Sequence, residues 1–137
     1  MPARFLDTNV LLYSISTHPG EEAKRDIAIA AIENGDNAIS VQVLQEFYVQ
    51  ATRPTFRGAV PHEDAVALMR AWLRFPVQEI TLALLNDALA IKAASRLSYW
   101  DAAIVAAAGA LGCREVLSED MAHGRQIGGV VITNPFR

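Results

Sequence analysis

The sequence predicts an α/β fold: a three-layer α/β/α sandwich around a mostly parallel, five-stranded sheet. Three observations lead there. Short apolar runs at residues 4–6, 37–40, 77–80, 115–117 and 130–132 have the length of strands rather than helices. The stretches between them place apolar residues at helical spacing. Strands that alternate with helices form parallel β-α-β units with right-handed crossovers.

Each element has a local reason. Residues 4–6 make a short buried strand that ends at Asp7. After the break at Pro19 and Gly20, residues 21–34 carry acids in the first turn and apolar residues at Ala23, Ile27, Ala30 and Ala31. Gly35 stops that helix, and residues 37–40 form the second strand. Val41, Leu44, Tyr48 and Ala51 mark a helix that ends before Pro54. Pro61 opens an amphipathic helix with Ala65, Leu68, Met69 and Trp72 at i, i+3, i+4 and i+7. Residues 77–80 follow as a strand, and Thr81 caps the next helix, through about Arg96. Ser98 caps a further helix over 99–111, closed by Gly112. No repeat, low-complexity tract or linker interrupts the pattern, so residues 1–137 read as a single domain.

The totals narrow the function. A length of 137 residues suits one domain, and 52% hydrophobic with 20% charged residues suits a globular core. No run reaches the ~18 apolar residues of a membrane span. Arg4 and Asp7 come too early for a signal-peptide apolar segment. Cys113 is the single cysteine, so no internal disulfide forms and a reducing compartment fits. The expectation is a cytoplasmic protein. The net charge of −3 argues against a broad basic face for duplex DNA. Setting aside four of the 15 acids as metal ligands leaves 11 against 12 Lys and Arg, which keeps a small, metal-centred site open.

The acids carry the chemistry. Ligands of parallel sheets bind at the carboxyl ends of strands. Asp7 follows the first strand, and Ser118, Glu119 and Asp120 follow the fourth. Asp7 is equally well read as an N-cap for the segment starting at Thr8. Asp101 is the sole charge between Arg96 and Arg114, on a helix without a polar face that should be buried all round. A carboxylate there needs a cation or strong donors, although Asp101 also fits a capping role after Ser98. Glu46 lies off the apolar stripe of its helix and reads locally as an exposed Glu. Glu119 and Asp120 also read as first-turn acids of a short helix capped by Ser118.

Carboxylates without a His pair or Cys cluster suit a hard cation, Mg²⁺ or Mn²⁺. His18, His62 and His123 are scattered, which argues against zinc. A Gly-rich phosphate loop and a G-x-S-x-G elbow are absent. Metal-assisted phosphodiester hydrolysis is the reaction class that remains.

The blocks then resemble one family. Phe5-Leu6-Asp7-Thr8-Asn9-Val10-Leu11-Leu12-Tyr13 resembles the opening of PIN domains, specifically VapC-type toxin ribonucleases. Val43-Leu44-Gln45-Glu46-Phe47 resembles the helix that carries the family's single Glu. The run from Ser98 through Asp101 to Ala108 resembles its most recognisable block, and Leu117-Ser118-Glu119-Asp120-Met121, with Gly129 to Phe136, its C-terminal end. The resemblance spans the chain in order.

It implies a Mg²⁺- or Mn²⁺-dependent endoribonuclease of a toxin–antitoxin pair, cutting RNA. Asp7, Asp101 and Asp120 would be metal ligands, with Glu46 as fourth catalytic acid binding or orienting water. Ser118 stands where the family often has Thr or Ser near the site. Asn9, beside Asp7, reads equally as a group that hydrogen-bonds an acid or the substrate and as a turn residue; Glu119 is a substrate-binding or supporting group, and either Glu119 or Asp120 faces the metal. The resemblance also implies a homodimer and a cognate antitoxin whose tail fills a groove near the acids. The helices over 61–75 and 40–52, with Leu68, Met69, Trp72, Leu73, Phe75, Phe47 and Tyr48, read for the most part as core packing, and part of their surface is expected to serve such contacts.

Competing readings are a Mg²⁺-dependent phosphatase and a catalytically silent RNA- or partner-binding module on the same scaffold. The phosphatase wants a second Asp where Asn9 stands, and a receiver domain wants a Lys after a late strand.

Overall fold

A computed structural model describes residues 2–137. Phe5 and Leu6 of β1 (Arg4–Leu6) are completely buried, and β1 sits at the centre of the sheet. On one side of it lie β2 (Asn37–Ser40) and β3 (Val77–Gln78); on the other lie β4 (Glu115–Leu117), β6 (Val130–Thr133) and β5 (Gln126–Ile127), giving the order β3-β2-β1-β4-β6-β5. All neighbours are parallel except β5 and β6. The helices α1 (Thr8–Tyr13), α2 (Glu22–Asn34), α3 (Val41–Ala51), α4 (His62–Trp72), α5 (Leu82–Ala94) and α6 (Tyr99–Ala110) flank the sheet.

Among the described residues the sheet has six strands, not five. The additional one, β5, is two residues long and forms a hairpin with β6 through Gly128 and Gly129, Ile127 pairing with Val130. Gly128 takes φ +59°, where a side chain is strained. A Gly-Gly pair between extended residues is a hairpin signal, but Gln126-Ile127 is too short to register as an apolar run.

Helix positions follow the sequence with two corrections. In α2 the inward stripe is Ala28, Ala31 and Ile32, with half-buried Lys24 one turn earlier. Ala23, Ile27 and Ala30 face outward instead, because α2 packs on α1 along a narrow strip. In α6 the residues from Ala102 to Ala108 are buried against β2, β3, β4, β6 and α5. Its first turn, however, emerges from the core: Trp100 is 65% exposed and Asp101 half-buried.

The core joins Phe5, Ile39, Phe47, Ile104, Val116 and Ile132. Trp72 of α4 lies edge-on to Phe47, ring centres 4.7 Å apart, and both are buried. These aromatics belong to the interior rather than to a contact surface. Exposed apolar side chains concentrate instead at Ile80, Leu82, Leu85, Leu89 and Trp100, around the start of α5. No helix among the described residues is long and apolar enough to cross a membrane.

Candidate active site

β1 and β4 are neighbours, so the residues that leave their carboxyl ends meet. Asp7 caps α1, its Oδ1 accepting from the Thr8 N–H at 2.7 Å. Its Oδ2 accepts from the hydroxyl of fully buried Ser118 at 2.7 Å. Cap and cavity acid are thus one side chain, because the cap uses only one carboxylate oxygen.

Beyond Ser118 the chain bends rather than starting a helix, so Glu119 and Asp120 are not first-turn acids. The Ser118 hydroxyl accepts from the Asp120 N–H at 3.2 Å. Asn9 of α1 reaches across, its Nδ2 donating to Asp120 Oδ2 at 3.0 Å and its Oδ1 accepting from the Glu119 N–H at 3.3 Å. Asp120 turns toward Asp7, and Glu119 turns away to an ion pair with Lys24 at 2.6 Å.

The other two acids come from helices. Ser40 and Ser98 cap α3 and α6, their side chains accepting from the N–H groups of Val43 and Asp101. These caps fix where each helix begins, and hence which way Glu46 and Asp101 face. Glu46 is half-buried rather than exposed, since the space beside α3 is closed by α6. Gln42, one turn before Glu46, donates to Glu46 Oε1 at 3.0 Å and to the Trp100 carbonyl at 3.3 Å, bridging α3 to α6.

Asp7, Glu46, Asp101 and Asp120 line one cavity of about 120 Å³ with Thr8, Asn9, Leu12, Gln42, Gln50, Trp100 and Ile104. Its electrostatics reflect burial first and crowding of like charges second. Burial pushes Asp7 up to about 6, against the hydrogen bonds from Ser118 and Thr8, with the charges of Asp120 and Glu46 adding to the rise. Glu46 is raised by burial and by the charges of Asp101 and Asp120, with Gln42 opposing. Asp101 is raised by burial and by Asp120.

An all-oxygen donor set fits a hard divalent cation. The Thr8 hydroxyl, at the same cavity, is the only buried side-chain polar atom without a partner among the described residues. No three His, Cys, Asp or Glu side chains among the described residues stand close enough to form a ready ligand cage. Facing carboxylates repel unless a cation draws them in. The histidines are engaged elsewhere: His18 accepts from Gly20, His62 meets Tyr48, and His123 accepts from Asn134.

Of the residues singled out from sequence, Asp7, Asn9, Glu46, Asp101 and Asp120 line the cavity, Ser118 supports Asp7 from beneath, and Glu119 points away. Thr8, Gln42, Gln50 and Trp100 were not anticipated. For Gln42 the signal was available, since a Gln at i−4 from a Glu meets it on one helix face.

The family model for the PIN domain matches residues 4–126, and the chain belongs to the PIN domain family. Similar solved structures agree in fold. A toxin–antitoxin complex from Klebsiella pneumoniae shares 21% identity at TM-score 0.71, covering 97% of this chain and 98% of that one. DNA-bound VapBC from Salmonella typhimurium shares 20% at TM-score 0.67, covering 98% and 99%. VapC20 of Mycobacterium tuberculosis, described as a Sarcin-Ricin loop cleaving toxin, shares 20% at TM-score 0.66, covering 86% and 92%. No curated protein matches the sequence significantly.

Proposed function

We propose that this chain is a divalent-metal-dependent endoribonuclease and the toxin of a toxin–antitoxin pair. The observation that carries the reading is the convergence of four carboxylates, from two strand ends and two helices, on one small cavity. Structural neighbours described as VapC toxins and toxin–antitoxin complexes support the biological role.

Asp7, Asp101 and Asp120 would hold Mg²⁺ or Mn²⁺, which supplies a water of lowered pKa and neutralises charge that develops on the phosphate. Gln42 donates to one Glu46 oxygen, which opposes the rise caused by burial, and leaves the other oxygen free to orient the attacking water. Ser118 and Thr8 N–H fix the Asp7 carboxylate, so that it does not rotate during turnover. Trp100, Leu12 and Ile104 narrow the cavity and limit access of bulk water.

For partners, an apolar groove of about 390 Å³ adjoins the acids, lined by Ile80, Leu82, Leu85, Tyr99 and Trp100 and sharing Gln42 and Trp100 with the acid cavity. Its exposed apolar residues support burial by a second copy or by an antitoxin. The deciding experiment incubates the purified protein with a panel of RNAs, with Mg²⁺, Mn²⁺ or EDTA. Cleavage that EDTA abolishes and metal restores is expected; no cleavage of any RNA in either metal overturns the enzymatic reading. Growth arrest on expression alone, relieved by an antitoxin, is the expected sign of the toxin role. Harmless expression of an RNA-cleaving protein would leave a nuclease of another role. Light scattering is expected to show a dimer, and a monomer across micromolar concentrations defeats that part.

A further inference from the structure

Glu119 and Asp120 are adjacent acids at the end of β4, yet they point to different partners. The Glu119 carboxylate is gripped at both oxygens: Tyr13 of α1 donates its hydroxyl to Oε1, and Lys24 of α2 donates to Oε2 at 2.6 Å. Lys24 also donates to the Tyr13 hydroxyl at 3.3 Å and lies over its ring, 5.0 Å from the centre. The Tyr13 ring packs on Phe136 near the C-terminus, centres 4.8 Å apart. One turn earlier on the same helix face, Asn9 grips Asp120 and the Glu119 N–H. Two residues of α1 at i and i+4 therefore hold two consecutive residues of the strand end.

We infer that Tyr13, Lys24 and Glu119 form a positioning clamp that fixes which way the neighbouring Asp120 faces. The inference rests on the nuclease reading for its consequence, since Asp120 is there a metal ligand. Glu119 and Asp120 sit in the bend after β4, where Glu119 faces Lys24 of α2 and Asp120 lines the cavity. A Glu119 anchored toward α2 therefore leaves Asp120 directed at the cavity. Without the anchor the bend can rotate, and either carboxylate can turn to solvent. Asp120 is itself exposed, so burial does not hold it in place. The Lys24–Glu119 pair is partly exposed and adds little to global stability, so the clamp orients more than it stabilises.

The test uses Lys24→Met, Glu119→Gln and Tyr13→Phe, with Lys24→Arg as the conservative variant. In the metal-free protein, the Asn9 side-chain amide donates to Asp120 and is a direct NMR reporter of its orientation. The clamp predicts that Lys24→Met and Glu119→Gln shift or broaden that amide pair, while Lys24→Arg leaves it near its wild-type position. In the metal-loaded protein, kcat should fall about tenfold in Lys24→Met with KM within about twofold, and recover in Lys24→Arg. Melting temperatures should stay within about 3 °C of wild type.

An unperturbed Asn9 amide in both Lys24→Met and Glu119→Gln overturns the clamp. So does a loss of activity that tracks a large fall in melting temperature and is not recovered by Lys24→Arg. A moved Asn9 signal with wild-type kcat and metal affinity also overturns it. If wild-type protein cuts no RNA, the nuclease reading fails, and the Asn9 amide alone still decides whether the clamp orients Asp120. Should Lys24→Met fail to fold, Tyr13→Phe removes one bond of the clamp and reads the same amide.

Discussion

Asp7 and Glu46 face the same cavity from walls that restrain them differently. Asp7 sits at the floor, 6% exposed, held by the Thr8 N–H at the start of α1 and by buried Ser118 just past β4. Glu46 stands on the helix wall, half-buried, held by one glutamine on its own helix. The floor is set by the sheet and cannot adjust without breaking strand register. The helix wall depends on Gln42, whose second bond to the Trp100 carbonyl ties α3 to α6 and so to Asp101. On the proposed nuclease reading, a site that admits RNA and draws carboxylates together around a cation needs one wall that stays and one that can move. The following experiments strain that contrast.

The largest effect is expected from Asp7→Asn and Asp101→Asn, one from each wall. Each should lower RNA cleavage roughly a thousandfold or more, because a lost ligand removes several kcal/mol of charge stabilisation. Circular dichroism should show both variants folded. Near-normal cleavage by both at saturating Mg²⁺ would remove the assignment of ligands to either wall.

The next effect concerns stability and separates floor from helix wall. The pKa of Asp7 is raised to about 6, above the unfolded value near 3.8. Its protonated form therefore favours folding below about pH 4, and that advantage is lost as pH rises through about 6. Asp7→Asn is free of this loss. In EDTA the variant should match wild type near pH 4 and exceed it above pH 6, by up to about 3 kcal/mol at roughly 1.4 kcal/mol per pKa unit. A stability difference that does not change between pH 4 and pH 8 would show that the floor is not the strained, desolvated position.

A smaller effect should come from Gln42→Ala. Losing a hydrogen bond to a charged group is worth about 1.5 kcal/mol, so kcat should fall roughly tenfold with little change in melting temperature. If kcat is unchanged, Gln42 does not restrain the helix wall and the contrast with Asp7 collapses.

The smallest expected effect is metal-induced stabilisation. Mg²⁺ or Mn²⁺ at ten times its Kd should add about 1.4 kcal/mol, or roughly 5 °C in melting temperature. Asp101→Asn should abolish the rise. Absence of any shift in wild type up to tens of millimolar metal would count against a carboxylate-lined metal site on these two walls.

Much of this architecture was legible from one sequence. The caps Thr81 and Ser98, the Pro61 start and the α4 stripe are local signals, and each depends on residues within a turn of itself. Asp101 could be singled out because a lone charge on an apolar helix is improbable without a partner, although its wall proved half-open rather than closed. Glu46 could not be found that way, since periodicity measures only its own helix and the neighbour that encloses it is α6. Resemblance to a family supplied what periodicity missed. The hairpin strand β5 escaped because two residues are too few for a pattern, whereas the sheet edge recruited them.

The sequence by itself determined the alternation of strands and helices, the acids that follow strand ends, and the absence of cysteine or histidine clusters. These are properties of spacing and residue type, which local backbone physics reads directly. Only the tertiary structure decided that Asp120 rather than Glu119 enters the cavity, that Gln42 joins two helices, and that exposed apolar side chains gather around the start of α5, with Leu73 exposed at the end of α4. Each of those depends on partners distant in the chain: Asn9 and Lys24 for the acids, Trp100 for Gln42, and Phe47 for the burial of Trp72. Which of two adjacent carboxylates turns inward is settled by what waits on either side, and spacing along the chain carries no record of that.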